Sequence, residues 1–145
     1  MENLTASSII SYVQSLEDGS AAFYGELAER FKGHRDSFAA FAAESKKNKV
    51  TVVRTYQETI TDALEACFCF EGLELASYAV DTALAEGVSL TDALNVAIEL
   101  EDAAIRFYLE VAERSEALLA TIPRAFKRVA RKRSKRKDCL EALLQ

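Results

Sequence analysis

Hydrophobic side chains recur every three or four residues through four long segments of the chain, which is the spacing of one face of an α-helix. In the first segment, about residues 5 to 32, one face carries Ile9, Val13, Leu16, Ser20, Tyr24, Leu27 and Phe31. The second segment runs from about 37 to 66, the third from about 89 to 116, and the fourth from 121 almost to the last residue. The pattern predicts an all-α protein with four long helices.

Residues typical of helix starts stand at the beginning of three of these segments. Asp36 or Ser37 is suited to the N-cap of the second helix. Ser89, followed three residues later by Asp92, comes close to a capping box at the third helix. Pro123 stands in the first turn of the fourth helix, where proline is well tolerated.

The four helices divide into two hairpins joined by a crossover of some twenty to twenty-five residues. A shorter helical pattern within this crossover reaches to about Ala85. One long crossover between two hairpins is typical of the ferritin-like four-helix bundles. The length of 145 residues suits a single domain that spans 1–145.

An internal repeat relates the first helix to the third. Residues 16–30 read LEDGSAAFYGELAER and residues 100–114 read LEDAAIRFYLEVAER, with nine of fifteen positions identical at a constant offset of 84. The alternative is that the two helices only present similar faces to a shared core. The repeat indicates a duplicated helical hairpin whose first and third helices occupy equivalent places.

The repeated pattern Glu-Asp…Phe-Tyr…Ala-Glu-Arg resembles the first helix of the rubrerythrin-like branch of the ferritin-like superfamily. The segment SLTDALNVAIELEDAAIRFY is similar to the start of that family's third helix. The resemblance extends from about residue 5 to 144 and implies a four-helix bundle that is often a homodimer. In active relatives it also implies a carboxylate-bridged di-iron centre for peroxide reduction or iron oxidation.

Such a centre takes one Glu from each of two helices and a Glu-x-x-His pair from each of the other two. The resemblance places Glu17 and Glu101 at the ligand positions of the first and third helices. Tyr24 and Tyr108 follow seven residues after them, as in the family.

The second and fourth helices depart from the family's pattern. The frame of Phe38, Phe41 and Ala42 puts Ser45 and Asn48 where Glu and His are expected. In the fourth helix, the matching frame of Phe126, Val129 and Ala130 puts Arg133 and Arg136 at these positions. A guanidinium is always protonated and has no acceptor atom, and the only histidine, His34, lies in the loop between the first two helices. We therefore expect no di-iron site of the usual kind.

Two carboxylates left in a bundle interior need a counter-charge. Our hypothesis is a buried Glu17–Arg133–Glu101 cluster, with Ser45 and Asn48 as hydrogen-bond partners and no cofactor. In a second interpretation the fourth helix frays after Ala130 and leaves its basic residues in solvent. In a third, a one-residue slip recruits Glu44, and Glu17, Glu101 and Glu44 bind iron or manganese.

These interpretations carry different functions. The first predicts a non-catalytic binding or structural protein, in which Glu17, Ser45, Asn48, Glu101, Arg133 and Arg136 are former metal-site positions. The third predicts an iron-handling protein or an oxidoreductase of the peroxidase or ferroxidase type. The sequence does not decide whether the chain is an enzyme. The loss of the metal ligands from the second and fourth helices favours a non-enzymatic protein.

Charge is distributed unevenly along the chain. The net charge is −5, yet residues 124–137 hold nine basic residues and no acidic one. The densest part is a basic patch formed by Arg131, Lys132, Arg133, Lys135, Arg136 and Lys137. This patch offers a docking site for a protein or another anionic partner. Nucleic acid is disfavoured, because the rest of the chain is acidic and no aromatic residue follows Phe126.

Cysteine usage and hydropathy point to a cytoplasmic location. Cys67, Cys69 and Cys139 make an odd number, which suits reduced thiols better than a disulfide framework. We expect them to be small buried hydrophobic residues. No apolar run is long enough to span a membrane, and the first residues lack the features of a signal peptide.

Overall fold

Four long α-helices make up most of the chain in the computed structural model, which describes residues 4–59, 69–70, 72–115 and 121–145. We number them α1 (Ala6–Arg30), α2 (Arg35–Thr59), α3 (Leu90–Arg114) and α4 (Thr121–Leu144). The prediction of an all-α helical bundle is confirmed. The last turns predicted for the second helix, to residue 66, lie outside the described residues. No helix in the described ranges has the length and apolarity needed to cross a membrane.

Side-chain caps fix the starts of α1 and α3. The Ser89 hydroxyl accepts a hydrogen bond from the backbone N–H of Asp92 at 3.1 Å, as the capping-box pattern predicts. At α1, Thr5 accepts in the same way from the N–H of Ser8 at 3.2 Å. Each cap satisfies one of the backbone donors that the first helical turn leaves without a partner.

The start of α2 differs from the prediction of an N-cap at Asp36 or Ser37. A short 3-10 turn, Lys32–His34, leads directly into α2, and Arg35 already has helical backbone angles. The backbone N–H of Arg35 bonds to the carbonyl of Lys32, so the preceding turn satisfies this donor at the start of α2. Asp36 therefore lies within the first turn, where a negative charge faces the positive end of the helix dipole.

The helices pack as antiparallel neighbours. The two hairpins α1–α2 and α3–α4 have the closest packing, and α2 also packs against α4. Along the α2–α4 contact, Glu44 reaches Arg136 while Thr55, three turns later, borders the same groove as Arg124. Residue numbers thus rise on one helix as they fall on the other, which makes α2 and α4 antiparallel.

The core has two apolar regions separated by a polar layer. The region at one end is built around Ile9, Val13, Val52, Phe107, Val111, Phe126 and Val129. The region at the other end is built around Phe23, Leu27, Phe38, Leu94, Ala97 and Leu140. Between them lie the buried polar side chains of Glu17, Ser20, Ser45, Asn48, Glu101, Arg133 and Arg136. Apolar side chains therefore enclose the polar layer from both ends of the bundle.

The connection before α3 contains less helix than the sequence predicts. Its described part has one 3-10 turn, Leu75–Tyr78, and residues 79–85 are not helical. The Tyr78 ring is buried in the core, 5.4 Å from the Phe107 ring, and its hydroxyl donates a hydrogen bond to Glu110. Anchoring this side chain holds the segment against α3, and Ala79 takes an extended conformation that ends the turn.

A two-residue strand pairing, which the sequence does not predict, joins the first described residues to this connection. Strand β1 (Leu4–Thr5) pairs antiparallel with β2 (Cys69–Phe70), and Leu4 lies opposite Phe70.

Candidate functional site

All six sequence-predicted site positions are buried in the polar layer. Glu17, Ser45, Glu101 and Arg133 have no exposed surface, and Asn48 and Arg136 have almost none. The four helices each contribute, with α1 and α3 supplying one carboxylate apiece and α4 supplying both arginines. The repeat explains the placement of the carboxylates, because equivalent helices present equivalent residues to the same interior.

The Arg133 guanidinium lies between the two carboxylates and uses every donor it has. Its Nε and Nη2 atoms donate to the two oxygens of Glu17 at 3.2 and 2.8 Å. Its Nη1 donates to both oxygens of Glu101, at 2.8 and 2.9 Å. Nη2 also donates to the Ser20 hydroxyl at 2.8 Å. A guanidinium carries five N–H groups, and here each one has an acceptor.

Two tyrosines complete the coordination of the carboxylates in a reciprocal way. The Tyr24 hydroxyl of α1 donates to Glu101 of α3 at 2.5 Å. The Tyr108 hydroxyl of α3 donates to Glu17 of α1. These pairs make α1 and α3 antiparallel neighbours, and each repeat gives its tyrosine to the carboxylate of the other.

Arg136 forms a second ionic contact that reaches towards solvent. Its Nη2 donates to Glu44 at 2.7 Å, and the Glu44 side chain is one-third exposed. Its Nη1 donates to the Ser45 hydroxyl at 3.0 Å and lies 3.4 Å from a carboxylate oxygen of Glu101. The guanidinium carbon stands 5.3 Å from the centre of the Tyr24 ring, within the range of a cation–π contact.

The predicted hydrogen-bond partners of the cluster need correction. Ser45 bonds to Arg136 and not to Arg133. Both amide atoms of Asn48 are buried without a hydrogen-bond partner in the described part of the chain, as is Nε of Arg136. Asn48 receives no hydrogen bond from Arg133, because all the donors of that guanidinium are already used.

The hydroxyls of Tyr24 and Tyr108 belong to the cluster, although neither residue is among the six predicted positions. Ser20 is a further member that the sequence did not place at the site. The signal was its position on the otherwise apolar face of the first helix, three residues after Glu17. Its hydroxyl accepts from Arg133 and donates to the backbone carbonyl of Leu16 at 2.7 Å. A polar side chain on a buried helix face usually has such a partner.

Burial and charge set the ionisation of the cluster. Burial by itself lowers the pKa of Arg133, but Glu101 and Glu17 act against it, and the pKa lies well above its ordinary value. Burial raises the pKa of Tyr24, and the negative charge of Glu101 raises it further. The pKa of Tyr108 is raised by burial and by Glu17 in the same way. A cationic guanidinium and two neutral phenols therefore face the carboxylates over the whole physiological range.

The surface part of the predicted basic patch is smaller than expected. Arg133 and Arg136 face the interior, so the patch is reduced to Arg131, Lys132, Lys135 and Lys137. The Lys137 ammonium lies 2.6 Å from a carboxylate oxygen of Asp102. Helix α4 continues without a break to residue 144, and fraying after Ala130 is therefore excluded. The two buried arginines hold this part of α4 in the bundle.

The donor set does not fit the di-iron centre that the family resemblance implies. Both carboxylates expected as ligands direct their oxygens at a guanidinium, which has no lone pair to offer a metal. Glu44, the third carboxylate considered, directs its oxygen at Arg136. In residues 4–59, 69–70, 72–115 and 121–145, no three His, Cys, Asp or Glu side chains are grouped so that they could hold a metal ion.

The other candidate side chains lie away from the cluster. The ring of His34 stands 6.2 Å from the ring of Phe38 at the connection between α1 and α2. Cys139 is exposed on α4, contrary to the expectation that it would be buried. It falls beside the charged surface of the helix, since the buried face there is taken by Arg136 and Leu140. Cys67 and the side chain of Cys69 lie outside the described residues.

Comparisons with protein-family models, with curated proteins and with solved structures found no match to this chain.

Proposed function

We propose that this chain is a ferritin-like four-helix protein in which Arg133 replaces the metal, and that it acts as a non-catalytic binding or structural protein. One observation carries the proposal: a single guanidinium satisfies the two buried carboxylates Glu17 and Glu101 with charge-assisted hydrogen bonds. The cation that these carboxylates require is thus part of the polypeptide.

The helix directions support the ferritin-like part of the proposal. Helix α1 is antiparallel to α2 as well as to α3, so α2 and α3 run in the same direction. A connection between two parallel helices has to return along the length of the bundle, which is the role of the long crossover in ferritin-like proteins. The reciprocal pairs Tyr24–Glu101 and Tyr108–Glu17 supply the internal symmetry that a duplicated hairpin would have.

The residues of α2 and α4 support the replacement of the metal. The frames that align Phe38 with Phe126 make Ser45 equivalent to Arg133 and Asn48 equivalent to Arg136. Small neutral side chains on α2 thus face two long cationic side chains on α4. Arg133 and Arg136, both on α4, fill the space and supply the positive charge that two metal ions would otherwise provide. The carboxylates of Glu17 and Glu101 balance that charge.

Metal analysis of the intact chain tests the proposal. Protein prepared without chelator is offered Fe(II) or Mn(II) anaerobically, and bound metal is measured after desalting. We expect less than about a tenth of an equivalent, because the carboxylates already have a cationic partner. We also expect iron oxidation and peroxide reduction at the rate of the protein-free solution. The Glu17→Gln variant is the control, since metal retained by this variant is bound elsewhere.

The opposite result would favour the iron or manganese oxidoreductase that uses Glu17, Glu101 and Glu44. Close to two equivalents of iron, lost in the Glu17→Gln variant, would mean that Arg133 leaves the carboxylates when metal is present. The proposal would then be wrong.

The proposal includes a homodimer, as the family resemblance implies, and a cytoplasmic location, as the cysteine usage and hydropathy of the sequence indicate. Sedimentation velocity at several protein concentrations tests the dimer. A sedimentation coefficient that stays at the monomer value would remove this part of the proposal and leave the metal replacement unaffected.

A further inference from the structure

The solvent-facing side of α4 carries a continuous stripe of cationic side chains. Its members are Arg124, Lys127, Arg128, Arg131, Lys132 and Lys135, and all of them are exposed or partly exposed. They are spaced by three or four residues, which places them on one face of the helix. At 1.5 Å per residue, the stripe is about 16 Å long. We call these six residues the α4 stripe.

The α4 stripe opposes the stability of its own helix. Cationic residues are neighbours at i,i+3 or i,i+4 throughout, as in Arg124–Arg128 and Arg131–Lys135, and like charges at these spacings destabilise a helix. No acidic residue occurs between 124 and 137 to offset them. Elsewhere on the surface, helix neighbours of opposite charge do pair, as Arg30 does with Glu26. The like charges of the stripe therefore do not stabilise one another within α4.

Charge is also divided between the two sides of the bundle. Helices α2 and α4 contain fourteen basic and five acidic residues, whereas α1 and α3 contain ten acidic and three basic residues. Because α2 packs on α4 and α1 pairs with α3, one side of the protein is positive and the opposite side is negative. Such a field orients an approaching charged partner.

A groove beside the α4 stripe is lined by two of the arginines of the stripe. It has a volume of about 190 Å³ and lies between α2 and α4. Arg124 and Arg128 line it together with the hydroxyl-bearing Thr51 and Thr55. The Thr55 hydroxyl donates to the backbone carbonyl of Thr51 at 2.9 Å, so the donors that the groove offers to a carboxylate come from Arg124 and Arg128. Guanidinium groups bind carboxylates through both charge and hydrogen bonds.

We propose that the α4 stripe and this groove bind an acidic segment of a protein partner. The inference does not depend on how the buried cluster replaces a metal. The stripe is bounded by acidic residues, with Glu58 at the groove near its start and Asp138 just beyond its end. Its length matches about three helical turns, so it accommodates a short segment that presents several carboxylates.

The same observations disfavour the other polyanions. Duplex DNA continues as a line of charge beyond the 16 Å stripe and would meet the acidic ends and the negative side of the bundle. The stripe has no aromatic side chain to stack on bases. None of the large exposed hydrophobic residues of the described chain, Val50, Leu109 and Leu144, lies within the stripe to enter a membrane surface.

Fluorescence anisotropy with a labelled oligo-glutamate peptide of about 12 residues tests the proposal on the intact chain. We expect saturable binding that weakens as salt rises from about 0.05 to 0.3 M. The variant Arg128→Gln/Lys132→Gln/Lys135→Gln should bind at least about tenfold more weakly. The three replaced side chains are exposed or partly exposed, so this variant should fold as the parent does, which far-ultraviolet circular dichroism verifies.

The matched control removes three exposed cations outside the stripe, in Lys32→Gln/Arg35→Gln/Arg54→Gln. It has the same net charge as the stripe variant and should keep the affinity of the parent within about twofold. An equal loss in both variants would show a general charge effect and overturn the proposal. So would the absence of peptide binding, or tighter binding of a short DNA duplex or of phosphatidylserine vesicles than of the peptide.

Discussion

Arg133 of α4 donates two parallel hydrogen bonds to the carboxylate of Glu17 of α1, and neither side chain is exposed to solvent. The same guanidinium holds both oxygens of Glu101 on its other edge. One arginine thus links three helices at the centre of the bundle, where an apolar residue would be the ordinary choice. Its energetic role follows from burial, because a charge in this position is stable only while its partners remain.

Removal of this arginine should be severely destabilising. In Arg133→Leu, the two carboxylates stay buried without their cation, and we expect the free energy of unfolding to fall by about 3–5 kcal/mol. Thermal and urea unfolding measure the change. The control is Arg131→Leu, which removes an exposed arginine from the same helix and should change stability by no more than about 0.5 kcal/mol.

The loss should be recovered when the carboxylates are removed as well. The variant Glu17→Met/Glu101→Met/Arg133→Met replaces the charges with side chains of similar length. We expect it to be more stable than Arg133→Leu by at least about 2 kcal/mol, because no unpaired charge remains. An unfolding midpoint for Arg133→Leu equal to that of the parent would show that the cluster contributes nothing.

The two tyrosines that donate to the carboxylates should have similar effects when mutated, as the repeat implies. Tyr24→Phe and Tyr108→Phe each remove one hydroxyl donor from a buried carboxylate and should each cost about 1–3 kcal/mol. Tyr12→Phe is the matched control. The Tyr12 ring packs on Phe107, but within the described chain its hydroxyl donates to no buried carboxylate. Equal stability of all three variants in urea would contradict the reciprocal arrangement.

Alkaline pH should unfold the protein as the tyrosines ionise. The pKa of both Tyr24 and Tyr108 is raised from the ordinary value of 10.0, chiefly by burial. Above pH 10 the unfolded chain releases these protons while the folded chain retains them, so the unfolded state binds fewer protons. The free energy of unfolding is therefore unaffected by these groups below pH 10 and falls as pH rises above it.

A pH titration monitored by tyrosinate absorbance and by circular dichroism checks this. We expect part of the tyrosinate signal to appear only together with the loss of helix. In Tyr24→Phe/Tyr108→Phe that part should be absent. Complete ionisation of the tyrosines in a protein that stays helical would contradict the burial of their hydroxyls.

The sequence was most informative where residue type and helical spacing agree. The amphipathic pattern predicted four helices, and the capping residues of α3 lie where Ser89 and Asp92 placed them. The frame of Phe126 and Ala130 also placed Arg133 in the interior, beside the carboxylates that the repeat identified. These features depend on residues one or two helical turns apart, so they can be predicted from the spacing of residues along the chain.

What the sequence could not predict depends on contacts between distant segments. The 3-10 turn that ends with Tyr78 is fixed by a ring packed on Phe107, 29 residues later. The sequence also did not predict the hydrogen-bond partner of each polar side chain. Arg133 donates to Ser20, whereas Asn48 has no hydrogen-bond partner in the described chain. Spacing along a helix identifies the buried face, but it does not decide which donor reaches which acceptor across the core.

Asn48 offers the clearest opportunity to increase stability. Its amide is buried, and neither the nitrogen nor the oxygen has a hydrogen-bond partner in the described chain, so no described protein group replaces the water that the amide loses on folding. Asn48→Leu has a similar volume and no polar atoms, and it should raise the free energy of unfolding by about 1–3 kcal/mol. Ser45→Ala is the contrasting variant, because the Ser45 hydroxyl accepts from Arg136 and its loss should be destabilising. Urea unfolding measures the change in the free energy of unfolding for both variants, which should have opposite signs. A destabilised Asn48→Leu would mean that the Asn48 amide has hydrogen-bond partners in solution.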